Sequence, residues 1–558
     1  MASVKFNKKK FEKEIGKLTE SFQNKIALFG TTVESVGDKE IELDITPNRP
    51  DLLSYGNFKR EFLTFLGKRK GLKEYKLNKL EKNHKVKIDS SVKEVRPLTV
   101  CSIVKNLKLD NEKIKEIIDL QEKLHSTLGR KRGKFAIGIY PLEKIKLPIT
   151  YKAIEPFKIK FTPLESSREM SGLEVLQKHP AGKDYAHLLK CKANFPIFID
   201  ADNKILSMPP IINSEHTGRV DLKTKEVFVE VSGFEEEILN KTLNMIITTL
   251  SEMGGKIYPM KVWYSSAYPK SKNSRTKITP NFKTEKMKVS VEKINKLLGL
   301  DLKEKDLKPL FQKMGHNYEK GFVEIPSWRV DILGEVDLIE EVAIAYGYDK
   351  FESVIPNISC IGSEQSKEII KRKISEILIG LGLLEISNYH LTKKQNQFTK
   401  MGINEKQEKG FIEVEESKTE NNILRKDLSH YLMKIFSENI DREYPHRIFE
   451  IGRVFESKET EELIESERLS IGLSPGNFTE LKQILEYLEK TLDLKFEIEE
   501  QEKSNGYFIE GRSVNILFNK KIIGNLGEIH PKILKNWKCK MPIVLLEINL
   551  ETIFEKYK

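Results

Sequence analysis

Four carboxylates crowd a stretch of the sequence in which an apolar helix also begins. Asp331 precedes the helix, and Asp337, Glu340 and Glu341 follow at spacings of three and four residues. This spacing predicts that the last three project from one face of the first turn. Converging carboxylate oxygens suit a hard cation, and Mg²⁺ commonly uses one or two carboxylates directly together with water. The four residues therefore form a candidate magnesium site.

The same residues also have an interpretation without a metal. Asp337 and Glu340 have the spacing of a helix capping box. Acidic residues at a helix N-terminus complement the helix dipole by roughly 0.3 to 1 kcal/mol each. From the residues alone, both interpretations stay open.

A second candidate lies in the segment KEVFVEVSG, which alternates like a β-strand. Val227, Val229 and Val231 share one face of this strand, whereas Phe228, Glu230 and Ser232 share the other. The pattern favours a solvated side for Glu230 and Ser232, although Phe228 on the same face indicates partial burial. The sequence has no G-x-x-x-x-G-K-[ST] phosphate loop, no G-x-G-x-x-G opening a helix after a strand and no H-E-x-x-H.

Length and composition predict a soluble protein of several domains. The 558 residues suggest three or four domains, and 39% hydrophobic with 32% charged residues is ordinary globular composition. The N-terminus lacks the apolar region of a signal peptide, and the longest apolar run, 377–384, is far shorter than a membrane span. The four cysteines lie too far apart for a zinc motif.

The chain carries a net charge of +12, which suits a polyanionic partner such as RNA or DNA. Lysine outnumbers arginine and is scattered among Glu, Ile and Asn, so a compositional bias explains the charge equally well.

Hydrophobic periodicity predicts the main elements that would hold these residues. We expect a helix after Asp51, which is its candidate N-cap, a helix at about 235–253, a linker at 264–285, and a helix ending at Gly380 and Gly382. Alternating segments near the C-terminus predict an antiparallel sheet flanked by helices.

Two long motifs, ELDITPNRPDLLSYGNFKREF and VEIPSWRVDILGEVDLIEEVAIAYGYDKF, resemble phenylalanine-tRNA ligase β subunits of the archaeal and eukaryotic type. Further segments occur in the order of that family, among them FTPLESSREMSGLEVLQKHPAGKDYAHLL, MPPIINSEHTG, HRIFEIGRVFE and GNLGEIHPKIL. The resemblance spans nearly the whole chain.

The resemblance implies a multidomain α+β protein. Its expected parts are an N-terminal α/β domain at 1–85, an α/β editing domain at 86–265, a small helix-rich module with a magnesium site at 275–352, and an inactive, antiparallel-sheet class II synthetase-like core at 355–558. Aminoacylation, with ATP, would occur on a partner α subunit in an (αβ)₂ heterotetramer, so no aminoacylation residue is expected on this chain. In this family the magnesium ligands are attributed to the positions of Asp331, Asp337, Glu340 and Glu341, and the resemblance makes the metal the favoured interpretation.

The resemblance also implies hydrolysis of mischarged Tyr-tRNA in the editing domain, with polar site residues at Ser207, Glu230 and Ser232. Archaeal relatives usually have Asp and Thr in a V-D-V-T-G segment, where this chain has Glu230 and Ser232. Both changes keep the type of chemistry.

Two other functions stay open. One is a non-editing scaffold and tRNA-docking subunit of the same ligase, and the other is a stand-alone paralogue that binds RNA, because a fold alone does not fix function. The expected location is the cytoplasm, with no membrane or DNA partner.

Overall fold

The structure is a computed structural model and describes residues 2–265, 275–359, 361–406, 408–458, 462–501 and 506–557. It divides into two compact units, Met1–Ile355 and Pro356–Lys558. In the described part of the chain no helix is both long enough and apolar enough to cross a membrane.

The first unit opens with a small sheet covered by helices. Its elements are β1 (Ala2–Asn7), α1 (Lys8–Glu14), α2 (Glu20–Leu28), β2 (Thr32–Val36), β3 (Glu40–Ile45) and α3 (Tyr55–Phe65), with strand order β1-β3-β2. Asp51 was predicted as the N-cap of α3, and that prediction is wrong. Ser54 caps the helix by accepting from the Asn57 N–H, whereas Asp51 is buried in an ion pair with Arg49, whose Nη2 lies 2.9 Å from Oδ2.

A large mixed sheet forms the centre of the first unit. Its strands run in the order β12-β11-β10-β7-β4-β14-β5-β13-β6, and β15 pairs with β14. Along the chain the elements are β4 (Lys85–Ile88), β5 (Leu98–Lys105), α4 (Asn111–Ser126), β6 (Phe135–Pro141), β7 (Ile149–Ile154), β8 (Lys160–Phe161), β9 (Met170–Ser171), α5 (Gly172–Lys178), α6 (Pro180–Tyr185), β10 (Phe195–Ile199), β11 (Ile205–Met208), β12 (Ile212–Asn213), α7 (Glu215–Gly218), β13 (Val227–Gly233), α8 (Glu236–Glu252), β14 (Lys256–Tyr264) and β15 (Thr276–Thr279).

The linker expected at 264–285 is largely structured where the chain is described. Strand β15 lies inside it and pairs antiparallel with β14, with Met260 opposite Thr279. The remaining stretch, 266–274, lies outside the described residues.

A compact module closes the first unit. It contains β16 (Glu285–Lys288), α9 (Val291–Leu298), α10 (Glu304–Lys313), β17 (Asn317–Glu319), β18 (Phe322–Ile325) and α11 (Glu335–Tyr346), with strand order β16-β18-β17. Trp328 connects this module to α3, because its Nε1 donates to Glu61 Oε1 at 3.2 Å. Asn57 connects α3 in turn to α8, since its Nδ2 donates to the Met245 carbonyl at 3.0 Å.

The second unit is built on one sheet of order β19-β22-β23-β27-β26-β25-β24, antiparallel except for β19 with β22. Its elements are α12 (Ser366–Gly380), β19 (Leu384–Glu385), β20 (Leu391–Thr392), α13 (Lys394–Gln397), β21 (Ile423–Leu424), α14 (Ser429–Glu438), β22 (His446–Ser457), β23 (Leu463–Ser474), α15 (Phe478–Thr491), β24 (Phe496–Glu500), β25 (Phe508–Phe518), β26 (Lys521–Ile529), α16 (Pro531–Trp537), β27 (Val544–Asn549) and α17 (Glu551–Lys556).

Candidate functional site

Strand β13 carries Glu230 and Ser232 into the interior of the large sheet. It lies between β5 and β6, with Glu230 opposite Cys101 on one side and Gly138 on the other. The side chains of Glu230 and Ser232 are 1% and 0% exposed. The prediction that Glu230 and Ser232 lie on a solvated face of the strand is therefore wrong, because the sheet is covered on both faces.

The structure brings Ser207 and Glu230 together although they belong to different strands. The hydroxyl of Tyr140, on β6, lies 2.7 Å from Ser207 Oγ and 3.2 Å from Glu230 Oε1. One phenolic proton serves one of these contacts, so a protonated Glu230 can donate to Tyr140 while Tyr140 donates to Ser207. Ser232 Oγ is buried without a well-formed hydrogen bond among the described residues, but it lies close enough to Glu230 to favour ionisation of that carboxyl.

Burial sets the protonation of Glu230. It raises the pKa of the carboxyl to about 8, although nearby Arg96 and the Tyr140 hydroxyl favour ionisation. Oε2 is buried and, in the described ranges, lacks a hydrogen-bond partner. At neutral pH Glu230 is thus mainly a neutral acid with one oxygen available to a ligand.

A cavity of about 130 Å³ opens beside Ser207 and Glu230. His125 and Arg132 line it, as do residues of the Pro209–Asn213 segment. This volume is below the roughly 300 to 1,000 Å³ of typical small-molecule sites. The cavity therefore has room for part of a substrate, such as one side chain.

Sequence patterns gave little signal for the residues that complete the cavity. Tyr140 arrives through pairing of β6 with β13, and His125 accepts the Ile137 N–H at Nε2 over 2.8 Å, which leaves the ring proton of the neutral form on Nδ1. Arg132 donates to the Ile211 carbonyl at 2.6 Å. Three consecutive residues have left-handed backbone conformations: Arg130 with φ of 46°, Lys131 with 51° and Arg132 with 65°. In the sequence, the glycines that flank them in GRKRG were the one indication of this turn.

The acidic cluster is organised around Arg329. Both oxygens of Asp331 accept from its guanidinium, at 2.8 Å from Nε and 2.7 Å from Nη2. Both oxygens of Glu341 also accept from it, and His316 Nε2 lies 3.1 Å from Glu341 Oε2. Burial would raise the pKa of Glu341, but Arg329 and His316 hold it well below its usual range.

The other two carboxylates of the cluster form no ion pair with Arg329 among the described residues. Asp337 Oδ2 accepts from the Leu333 and Gly334 N–H groups at 2.8 Å, so the cap of α11 is real but lies three residues earlier than the spacing predicted. Glu340 is exposed, whereas Glu341 is buried. Asp331, Asp337 and Glu341 nevertheless lie near enough to Glu340 to raise its pKa together with desolvation. Within the described residues, no group of three or more His, Cys, Asp or Glu side chains is arranged to hold a metal ion. The four carboxylates as placed here do not fit one magnesium ion.

Two protein families match the chain. One is described as "tRNA synthetase B5 domain" and covers residues 287–348. The other is described as "Phenylalanyl tRNA synthetase beta chain CLM domain" and covers residues 351–550. Together with the layered α+β architecture, these matches define the class: a subunit of an aminoacyl-tRNA synthetase.

Curated relatives specify the family. The chain is 38% identical over 519 residues to the phenylalanine-tRNA ligase β subunit of Thermococcus sibiricus, covering 91% of this chain and 90% of the relative. It is 34% identical over 549 residues to that of Archaeoglobus fulgidus, covering 98% and 97%. The chain belongs to the phenylalanine-tRNA ligase β subunit family and is a subunit of an aminoacyl-tRNA ligase.

A solved structure supports the assignment for the first unit. An N-terminal fragment of the phenylalanyl-tRNA synthetase β subunit of Pyrococcus horikoshii is 36% identical, with a TM-score of 0.58, and the match covers 62% of this chain and 99% of the fragment.

Proposed function

We propose that this chain pairs with an α subunit, in an (αβ)₂ assembly in the cytoplasm, to attach phenylalanine to its tRNA. ATP and Mg²⁺ would be used at the catalytic centre of α. The modules at 1–85, 86–265 and 275–352 would form the first unit, and 355–558 would be an inactive class II-like core that contacts α. Family membership supports this proposal. A magnesium ion at the four carboxylates stays a prediction that would require the ion pairs of Arg329 with Asp331 and Glu341 to rearrange.

We further propose that the cavity beside Ser207 and Glu230 hydrolyses mischarged Tyr-tRNA. The observation that carries this proposal is the buried Glu230, whose pKa of about 8 keeps it neutral and whose Oε2 faces no partner among the described residues. Burying such a group unpaired costs roughly 1 to 3 kcal/mol. That cost is explained if a substrate group completes the hydrogen bond.

A second hydrolytic site answers a physical problem of specificity. Tyrosine differs from phenylalanine by one hydroxyl, and a hydrophobic pocket rejects such an addition by only about 10²-fold. A site built to hydrogen-bond the hydroxyl discriminates much better, because phenylalanine would leave its polar groups unpaired. The single proton of neutral Glu230 can be donated either to Tyr140 or to a phenol, and while Tyr140 accepts it, Oε2 can still accept from the phenol.

The reaction itself needs no protein nucleophile. Water attacks the carbonyl carbon of the tyrosyl ester, the bond to the ribose oxygen breaks, and that oxygen takes up a proton, giving tyrosine and free tRNA. Ser207 is oriented by Tyr140, which makes its hydroxyl a defined hydrogen-bonding group beside the cavity. Ser232 lies outside the cavity lining, so its expected role is to shape the strand behind Glu230.

The competing proposal is a scaffold and tRNA-docking subunit without editing. Preformed Tyr-tRNA and the purified αβ complex distinguish the two. Editing predicts hydrolysis well above the uncatalysed rate, lost in Glu230→Ala and Ser207→Ala, with Phe-tRNA synthesis intact. Ser102→Ala is the matched control, because Ser102 is equally buried in the same sheet but bonds the Tyr258 carbonyl. Hydrolysis at the uncatalysed rate in the natural complex would establish the scaffold instead.

A further inference from the structure

The central sheet of the second unit has one apolar face and one polar face. Leu469, Ile471, Leu546 and Ile548 belong to its hydrophobic core. On the opposite face Arg468 lies across from Asn549, and Glu547 lies across from both Ser470 and Asn525. Sheet interiors normally exclude charge because desolvation is costly. A polar face on three adjacent central strands therefore calls for an explanation.

A cavity of about 570 Å³ lies over this polar face. Arg468, Asn525 and Glu547 are among the residues that line it, and Phe398 and Tyr507 add aromatic surface. Its volume falls within the roughly 300 to 1,000 Å³ of small-molecule sites. Every lining residue belongs to the second unit, so the cavity is separate from the one beside Glu230.

Two residues that line the cavity each have one buried polar atom without a hydrogen-bond partner among the described residues. Arg468 Nη1 donates to Glu547 Oε1 at 2.9 Å, but its buried Nε has no hydrogen-bond partner among the residues the structure describes. Asn525 Oδ1 is likewise buried without a partner in the described ranges. The lining residues of this cavity thus include one unused donor, Arg468 Nε, and one unused acceptor, Asn525 Oδ1.

The remaining carboxylates are held firmly in place. Glu547 Oε2 accepts from the Ser429 N–H at 2.8 Å and from its hydroxyl at 2.6 Å. Asp427 accepts from His430 Nδ1 at 2.9 Å and from Gln397 Nε2 at 2.5 Å. Two of the four lining carboxylates, Asp427 and Glu547, are therefore fixed by second contacts, as in a preorganised site.

The charge of the lining favours a ligand with both a cationic and an anionic group. Lys426 is shared by Glu408 and Glu456, at 3.3 and 3.4 Å. The other charged residues of the lining are two acids, Asp427 and Glu547, and one base, Arg468. This excess of negative charge attracts an ammonium group and repels a polyphosphate, whereas the free edge of Arg468 suits a carboxylate.

We propose that this cavity binds a free α-amino acid. Its carboxylate would accept from Arg468 Nε and its ammonium would donate to Asn525 Oδ1, after rotations of these two side chains that bring the buried atoms to the cavity wall. An apolar side chain would contact Phe398 and Tyr507. This site takes no part in the proposed editing reaction.

Binding to the full-length chain, purified without a partner subunit, tests the proposal. The twenty amino acids and ATP would each be tested by thermal shift and, for those that raise Tm, by equilibrium dialysis of the labelled compound. We expect at least one amino acid with an apolar side chain to bind and ATP not to bind.

Two variants locate the binding. Asn525→Leu removes the unused acceptor without breaking a described hydrogen bond, and Ile403→Trp fills the cavity from a half-buried lining position. Each should weaken binding at least tenfold. Asn515→Leu is the matched control, because Asn515 is the cross-strand neighbour of Asn525 but does not line the cavity.

Three results would overturn the proposal. They are no binding by any of the twenty amino acids, binding that survives both cavity variants, and binding of ATP in their place. If one variant fails to fold, the other still locates the site, and the panel on the natural chain decides whether binding exists.

Discussion

The guanidinium of Arg329 donates to both carboxylate oxygens of Glu341, with Nη2 2.8 Å from Oε1 and Nη1 3.2 Å from Oε2. Both side chains are almost completely buried, at 1% and 5% exposure. The same guanidinium also binds Asp331. An internal cation thus compensates half of the acidic cluster, and Glu340 keeps the remaining repulsion, which with burial raises its pKa.

Arg329→Met should destabilise the chain strongly. Removing one partner of a buried ion pair leaves uncompensated charge and costs about 3 to 5 kcal/mol. Urea unfolding measures this change. Arg219→Ala provides the control, because its ion pair with Glu215 is exposed and such pairs contribute about 0 to 1 kcal/mol. Equal effects of the two variants would contradict the assigned role of Arg329.

The Glu341 carboxylate should make stability depend on acid pH. Its folded-state pKa lies well below the ordinary 4.5, so its contribution is complete above that value and is lost as pH falls toward the folded pKa. The free energy of unfolding of the natural chain minus that of Glu341→Gln should therefore shrink below pH 4.5. A difference in unfolding free energy that stays constant down to about pH 3 would contradict this assignment.

Chelation should leave the stability of this chain unchanged. Arg329 pairs with Asp331 and Glu341, so these carboxylates are already neutralised and we expect EDTA not to shift Tm. If EDTA lowers Tm, added Mg²⁺ restores it and Glu340→Gln abolishes the response, the four carboxylates do hold the metal that the sequence predicts, after rearrangement of the ion pairs.

The pH dependence of editing should report Glu230. Its pKa of about 8 means that the hydrogen-bond donor is lost as pH rises through that value. After subtraction of uncatalysed ester hydrolysis, the rate on Tyr-tRNA should fall above pH 8 in the natural complex. Glu230→Gln keeps a donor that does not titrate, so its rate should stay flat. A natural rate that rises through pH 8 would make ionised Glu230 a base instead.

Gly138→Ala should abolish editing while aminoacylation continues. A Cβ atom at Gly138 would collide with the Tyr140 hydroxyl and lie 2.6 Å from Glu230 Oε1. The hydrogen-bond chain to Ser207 would be displaced as a result. Gly380→Ala is the control, since a Cβ there meets no atom within 4 Å in the described structure. Full editing by Gly138→Ala would show that this chain of hydrogen bonds is dispensable.

Local patterns predicted the elements well where the signal is local. The helix expected at 235–253 is α8 at Glu236–Glu252, and Gly382 ends α12 in a left-handed conformation with φ of 79°. Helical periodicity and glycine end signals are read within a few residues. The sequence motifs of the family also paired Ser207 with Glu230, which no periodicity could have done.

Features that depend on distant segments were missed. The burial of Glu230 depends on a second layer against its sheet face, and its contact with Tyr140 depends on the register of β6 with β13. Strand β15 lies in a stretch rich in Ser, Lys and Pro and pairs with the second half of β14, beyond the residues of β14 that pair with β5. The direction of Glu341 likewise follows from Arg329, a residue that carboxylate spacing ignores.

Each module of the first unit is a continuous segment of the sequence. The hydrogen bonds from Trp328 to Glu61 and from Asn57 to Met245 nevertheless link these modules in the folded chain. A shortened chain carrying residues 86–265 alone would expose the side of α8 that α3 now covers. Recombination that exchanges residues 86–265 between relatives must therefore carry the matching surfaces of the neighbouring modules. Substitutions at Asn57 or Trp328 would be constrained by the packing of modules to which neither residue belongs alone.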